Sequence, residues 1–192
     1  MQNRETEIKL RVERPRLLKA RLRSEATLLR RRHFEDNFVL DYPGGRLRRL
    51  RWLLRLRRTP GKTTLTLKGP DRIVTRMKVR SEVETQVEDA DSMLRILKMM
   101  GLKVAFRYQK YRTVYRKSGC LIMLDETPIG TYVELEGPGT MIHAVAHSFG
   151  FQKVDFITDT YADLFQKYGR DNSRKKRNMM FGMEASVRRS WA

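Results

Sequence analysis

The sequence predicts an α+β domain built on an antiparallel barrel, or a strongly curved sheet, of about eight strands with a few flanking helices. Alternation of polar and apolar side chains recurs in short segments separated by Gly- and Pro-containing turns. Helical spacing of apolar residues is confined to a few short stretches between or after those segments. With 192 residues, 40% of them hydrophobic, the chain has the length and the apolar stock of one medium domain.

Each element follows from its own pattern. Glu5–Leu10 alternates charged with less polar residues and reads as the first strand. Pro15 opens a helix predicted to run to about Arg32, with Leu17, Leu18, Leu22, Leu28 and Leu29 as core contacts. His33–Asp41 is the second strand, stopped by Tyr42-Pro43-Gly44-Gly45. Leu53–Arg58 and Thr63–Lys68 form a hairpin through Thr59-Pro60-Gly61-Lys62, closed by Gly69-Pro70. Met77–Val87 is the fifth strand. Asp89 or Asp91 caps the next helix, whose Met93, Leu94, Leu97 and Met100 recur at helical spacing before Gly101 ends it. Ala105–Arg116, Cys120–Asp125 and Thr131–Glu136 supply the remaining strands, and Thr140–Phe149 and Thr160–Tyr168 two closing helices. Residues 1–169 are the expected folded domain. Past Gly169 the run Arg174-Lys175-Lys176-Arg177 leads into Met- and Arg-rich sequence without period, so 170–192 is expected to be a mobile basic tail.

Composition narrows the chemistry. There are 41 Lys and Arg against 22 Asp and Glu, a formal net charge of +19, which implies a polyanionic partner. The single cysteine, Cys120, rules out an internal disulfide and a cysteine-rich zinc site. The first ten residues lack an apolar signal core, and no uncharged apolar run approaches the roughly 18–20 residues of a membrane span. A cytoplasmic protein with no membrane partner is the expectation.

Residues two apart on a strand share a face. Sorted this way, Glu5, Glu7 and Lys9 lie together, as do Arg55 and Arg57, and Thr64, Thr66 and Lys68. Arg80, Glu82 and Glu84 share a face, Lys110 pairs with Arg112, and Glu134 with Glu136. The opposite faces carry Ile8, Leu10, Leu54, Leu56, Leu65, Leu67, Val83, Val133 and Leu135. Charged faces that look at water over a single apolar core are one arrangement consistent with this. The other puts the charges inside a barrel and the apolar faces outside it, under the helices. Segregation of acid and base by strand favours the second, because adjacent like charges destabilise a sheet unless opposite charge lies between them. Carboxylate pairs suit Mg²⁺ or Mn²⁺, and Lys and Arg suit phosphate oxygens, so a metal-bound triphosphate rod satisfies both sets.

These residues carry a resemblance. Glu5-x-Glu7-x-Lys9 resembles the ExExK signature of the CYTH superfamily, the triphosphate tunnel metalloenzymes, which includes class IV adenylyl cyclases, thiamine triphosphatases and inorganic triphosphatases. Leu54-Arg55-Leu56-Arg57, Thr66-Leu67-Lys68-Gly69-Pro70, Arg80-x-Glu82-x-Glu84, Lys110-x-Arg112, Leu124-Asp125 and Gly130–Gly137 continue it in order, over roughly residues 3–168. The resemblance implies an eight-stranded antiparallel barrel around a triphosphate tunnel. By position, Glu5, Glu7, Glu134 and Glu136 would hold Mg²⁺ or Mn²⁺, with Asp125 and Glu84 as further candidates. Lys9, Arg55, Arg57, Lys68, Lys110 and Arg112 would contact phosphates, with Lys9 and Lys110 also the candidate catalytic lysines. Arg80 and Glu82 would be tunnel-wall partners. The late basic residue of some relatives has no certain match; Lys167 is the nearest candidate. Arg48, Arg49 and Arg51 exceed the pattern and are assigned to the surface.

The expected activity is metal-dependent hydrolysis of inorganic triphosphate or of an organic or nucleoside triphosphate. A class IV adenylyl cyclase, making cyclic AMP and pyrophosphate from ATP, is the alternative, because both reactions use the same metals and cations. A nucleic-acid or polyphosphate binder without catalysis is a reading of another class, motivated by the charge and by nucleic-acid contact through the basic tail. A monomer or homodimer is expected.

Overall fold

The computed structural model describes residues 3–168 and 177–182. Among the described residues, strands β1 (Asn3–Arg11), β2 (Thr27–Asp41), β3 (Leu53–Thr59), β4 (Lys62–Lys68), β5 (Arg72–Val74), β6 (Met77–Val87), β7 (Lys103–Lys117), β8 (Cys120–Thr127) and β9 (Gly130–Glu136) are joined by five α-helices and a 3-10 turn (Lys153–Asp155). The α-helices are α1 (Pro15–Glu25), α2 (Arg46–Arg49), α3 (Ala90–Met99), α4 (Gly139–Ser148) and α5 (Tyr161–Tyr168). The strands run in the order β1-β9-β8-β7-β2-β3-β4-β6, and β6 pairs back onto β1. The result is a closed antiparallel eight-stranded barrel, with β5 attached to β6. Closure pairs the strands that would otherwise be sheet edges.

Apolar side chains lie mainly on the outside of this barrel, beneath helices. Ile8, Leu10, Ile122, Leu124, Val133 and Leu135 pack with Leu18 and Leu22 of α1 and with Ile142, Val145 and Ala146 of α4. Phe38, Leu40 and Leu56 pack with Leu97, Met93 and Leu94 of α3. Burying each such side chain contributes about 1.5–3 kcal/mol. The outward placement was the less usual of the two arrangements consistent with the sequence, and it frees the inner face for charge. One part of the expectation fails: Leu67 and Val83, paired on neighbouring β4 and β6, are exposed.

Three other boundaries differ from the sequence reading. The first helix ends at Glu25, and residues expected to continue it begin β2, where Thr27 pairs with Arg116 and Leu28 with Tyr115. The long partner strand β7 offers backbone bonds that outweigh a modest helical preference. Leu28 and Leu29 are therefore exposed, as is Leu17, while Leu18 and Leu22 are buried. The short α2, absent from the sequence reading, is anchored by buried Asp41, whose carboxylate accepts from the backbone N–H of Tyr42 at 2.7 Å, Leu47 at 2.8 Å and Arg48 at 3.1 Å. Finally, part of the expected mobile tail is docked: Met179 is fully buried and forms a parallel bridge with Tyr108. Residues 170–176 and 183–192 lie outside the described residues. No helix among the described residues is long and apolar enough to cross a membrane.

Candidate active site

A cavity of about 1740 Å³ occupies the barrel and opens at its rim. Strand register decides what faces it. Glu5 on β1 is opposite Arg80 on β6, and Glu7 is opposite Lys78. On the other side of β1, Glu7 meets Glu136 and Lys9 meets Glu134 on β9. Across β3, β4 and β6, Arg55 aligns with Thr66 and Thr66 with Glu84, while Lys68 aligns with Glu82. Thus Glu5, Glu7, Lys9, Arg55, Arg57 and Lys68 line one cavity, joined by Arg80, Glu82, Glu84, Lys110, Arg112, Glu134 and Glu136. Asp125 does not line it; its side chain shares the inward face with its cross-strand partner Arg112 and is wholly buried beneath Lys110 and Arg112. Lys167 lies apart, exposed and paired with Asp159 at 2.5 Å.

Much of this charge is neutralised internally. Lys68 contacts Glu5 at 2.5 Å and Glu82 at 2.8 Å, and Arg80 contacts Glu7 at 2.7 Å. Lys9 lies 3.3 Å from Glu134. Asp125 accepts from Lys110 at 2.8 Å, from Nε and Nη2 of Arg112 at 2.7 Å, and from the Tyr161 hydroxyl at 2.7 Å. Arg112 also reaches Glu134. Burial pulls the Lys9 ammonium down, but Glu134, Glu7 and Asp125 outweigh it and hold its pKa above the ordinary value. Burial would raise the Glu134 carboxyl, yet Lys110, Arg112 and Lys9 keep it well below the usual range.

Arg55, Lys78 and Glu136 make no ion pair among the described residues. Arg55 is buried, its Nε has no hydrogen-bond partner, and it forms no ion pair among the described residues. Among the described residues its guanidinium donates a hydrogen bond only to the Tyr108 hydroxyl, at 3.4 Å. Burial would lower its pKa, but Tyr108, Glu35 and Glu82 hold it above the ordinary arginine value. Glu136 is crowded by its own kind: burial, then Glu5, Glu7 and Glu82, push its carboxyl up to about 7 despite Lys68. A buried cation with no carboxylate in contact and a carboxylate crowded by others are each costly. Together they describe a site that both kinds of ligand would complete.

Fit to a metal is therefore chemical rather than geometric. Among the described residues no group of three or more His, Cys, Asp or Glu stands gathered as ligands. Glu5 and Glu7 are instead turned to Lys68 and Arg80. The all-oxygen donor set of Glu5, Glu7 and Glu136 nevertheless suits a hard divalent cation. Asp125 fits less well, because its oxygens already accept four hydrogen bonds.

Several site residues escaped the sequence reading. Glu35 on β2 lies 3.5 Å from Arg57, 3.6 Å from Lys110 and 3.9 Å from Arg112. Burial would raise its carboxyl, but Arg112, Arg57 and Lys110 hold it well below the usual range. Its spacing from Asn37, which accepts from Arg57 at 3.1 Å, carried the same two-residue signal as the other strands. Lys78, two residues before Arg80, lines the cavity, and its pKa is lowered by burial, with Arg80 and Lys9 adding to the effect against Glu7. Arg48 and Arg51, assigned to the surface, do stand exposed but also line the cavity. Tyr161 had no local signal: its hydroxyl donates to Asp125, and its ring lies 4.7 Å from the Lys9 ammonium and 5.0 Å from that of Lys110.

Comparison with known proteins agrees with this architecture. The CYTH domain model matches residues 3–161. A Methanocaldococcus jannaschii protein described as a candidate adenylate cyclase is 27% identical over 135 residues, covering 69% of this chain and 75% of that protein. A Vibrio parahaemolyticus structure described as a candidate adenylate cyclase superposes with a TM-score of 0.77 at 20% identity, over 86% of this chain and 99% of that one. A Hippeastrum candidate adenylyl cyclase, described as having a dominant triphosphatase activity, gives a TM-score of 0.65 at 18% identity, over 87% of this chain and 96% of that one. At these identities the two structures show a shared fold.

Proposed function

This chain belongs to the CYTH domain family, and we propose that it is a divalent-metal-dependent phosphohydrolase acting on a triphosphate held inside the barrel. The observation that carries this reading is Arg55, a buried guanidinium that makes no ion pair among the described residues, in a cavity where most charges are mutually paired. Its planar fork matches phosphate oxygens. Arg57, Lys68, Lys110 and Arg112 extend the cationic lining, but they stand paired with carboxylates or with Asn37. With a phosphate chain in the cavity, Lys68 would turn from Glu5 to phosphate, which would leave the Glu5 carboxylate free as a ligand. Glu5, Glu7 and Glu136 would hold Mg²⁺ or Mn²⁺, with Glu134 and Glu84 nearby. Such an ion, when bound, neutralises phosphate charge and acidifies a water.

The lysines have a narrower task than general base catalysis. Lys9 keeps its proton, held above the ordinary lysine value against the pull of burial. It donates a hydrogen bond to the Asp159 carbonyl at 3.3 Å. Lys9 therefore orients the attacking water or steadies charge on phosphate oxygens as an ammonium. Lys110, held by Asp125 at 2.8 Å, serves as a fixed charge of the same kind. Asp125 and Glu35 keep these cations in place.

A cyclase reading is favoured by the Methanocaldococcus jannaschii relative and the Vibrio parahaemolyticus structure, both described as candidate adenylate cyclases. There the ribose 3′-oxygen would attack the α-phosphorus and pyrophosphate would leave. The description of the Hippeastrum protein as dominantly a triphosphatase supports the hydrolase instead. Incubation with tripolyphosphate, ATP and thiamine triphosphate, each with Mg²⁺ or Mn²⁺, separates the two. The hydrolase releases orthophosphate from at least one of them and forms no cyclic AMP. Cyclic AMP and pyrophosphate from ATP, with tripolyphosphate left intact, would overturn it.

A further inference from the structure

Strand β7 is paired by β2 from Lys103 to Arg116, but β8 meets it only from Tyr111 to Lys117. The first half of β7 thus has backbone groups open on the side away from β2. Residues 177–182 fill that edge. The Gln109 N–H donates to the Met179 carbonyl at 2.9 Å, and the Met179 N–H donates to the Arg107 carbonyl at 3.0 Å. The Arg107 N–H donates to Oδ1 of Asn178 at 2.9 Å, and the Phe181 N–H to Oε1 of Gln109 at 3.3 Å. Phe181 packs on Tyr111 at 5.3 Å between ring centroids. A segment attached by two ladder bonds, side-chain bonds at both ends and an aromatic contact is part of the wall.

What it buries matters more. The Met179 side chain is fully enclosed in a cluster with Phe106, Tyr108, Tyr132, Tyr161 and Leu164. Two of these tyrosines hold the charged lining. The Tyr108 hydroxyl accepts from Arg55, and the Tyr161 hydroxyl donates to Asp125 while its ring faces Lys9 and Lys110. The Tyr108 and Tyr161 rings lie 5.6 Å apart. Arg177, at the start of the segment, lines the cavity itself. A flexible thioether filling the space beneath two site tyrosines sets where those rings can sit. We propose that residues 177–182 are a positioning strap of the site: Met179 fixes Tyr108 and Tyr161, and through them Arg55 and Asp125, while Arg177 adds a cation to the cavity wall. The strap takes its substrate from the triphosphate reading; its mechanical coupling to α5 stands without it.

The test uses the full chain with Met179→Ala and the volume-restoring Met179→Leu. Amide hydrogen exchange is read at Leu164, whose N–H donates to the Thr160 carbonyl at the start of α5, and at Ile142, whose N–H donates to Pro138 at the start of α4. Tripolyphosphate affinity is read by calorimetry in the same samples. In Met179→Ala, Leu164 is expected to exchange about tenfold faster while Ile142 is unchanged. Tripolyphosphate is expected to bind about tenfold more weakly. Met179→Leu restores both. Leu164 exchange as slow as in the wild type overturns the strap, and so does equal acceleration at Leu164 and Ile142, which would mark a general loss of stability. If the wild-type chain does not bind tripolyphosphate, the proposed function fails, and the exchange comparison alone decides the strap.

Discussion

In the cavity Glu136 is crowded by carboxylates, and Arg55, with no ion pair among the described residues, donates to a tyrosine hydroxyl. Glu136 makes a pH prediction with a definite sign. Its carboxyl is raised from 4.5 to about 7, so the folded state holds more protons than the unfolded state between those values. Stability from this group is present in full below the lower value and is lost as pH rises towards the upper one. Urea midpoints measured without metal should fall more between pH 5 and pH 8 in the wild type than in Glu136→Gln; parallel profiles would contradict the assignment. Asp125 makes the opposite kind of prediction. Asp125→Asn leaves Lys110 and Arg112 with less counter-charge in a buried setting, so it should cost roughly 3–5 kcal/mol in urea unfolding. A loss within the roughly 0.5 kcal/mol typical of surface changes would show that the network is not structural. Glu-x-Glu and Arg-x-Arg were legible in the sequence because two-residue spacing is a local property of a strand. Glu35 had the same spacing, but nothing local showed which cations would gather around it. Tyr161 is 36 residues from its Asp125 partner in sequence and carried no local signal.

At the scale of elements, the helices α1, α3 and α4 make the charged interior tolerable by supplying an apolar cover outside the barrel. Leu22 is fully buried in that cover and remote from the cavity lining. Leu22→Ala should therefore cost about 2–5 kcal/mol in stability. Tripolyphosphate affinity should be unchanged under conditions where the variant remains folded; lost affinity there would mean that α1 positions the site after all. Most element centres were readable, since alternation and helical spacing are set by which side faces the core. The first helix was read too long because Leu28 and Leu29 looked like a continued apolar face. Pairing of Thr27 and Leu28 with β7 decided otherwise, and both leucines ended exposed. The docked 177–182 segment escaped because its partner is an open strand edge, which exists only once the barrel has closed.

For the whole molecule, the net charge of +19 exceeds what the site requires, since most of the cavity's charges are paired with one another. The surplus surrounds the barrel with positive potential and should draw anions towards its mouth. Association of tripolyphosphate should then slow as salt is raised, by about tenfold where screening is strong. A salt-independent rate would show that steering plays no part. The central claim is narrower: Arg55, the buried guanidinium with no ion pair among the described residues, anchors a phosphate chain in the cavity. Calorimetric titration of tripolyphosphate into the wild type and Arg55→Gln tests it most directly. A loss of at least about tenfold in affinity in the variant is predicted, corresponding to about 1.4 kcal/mol. Equal affinity in the two proteins would contradict the account.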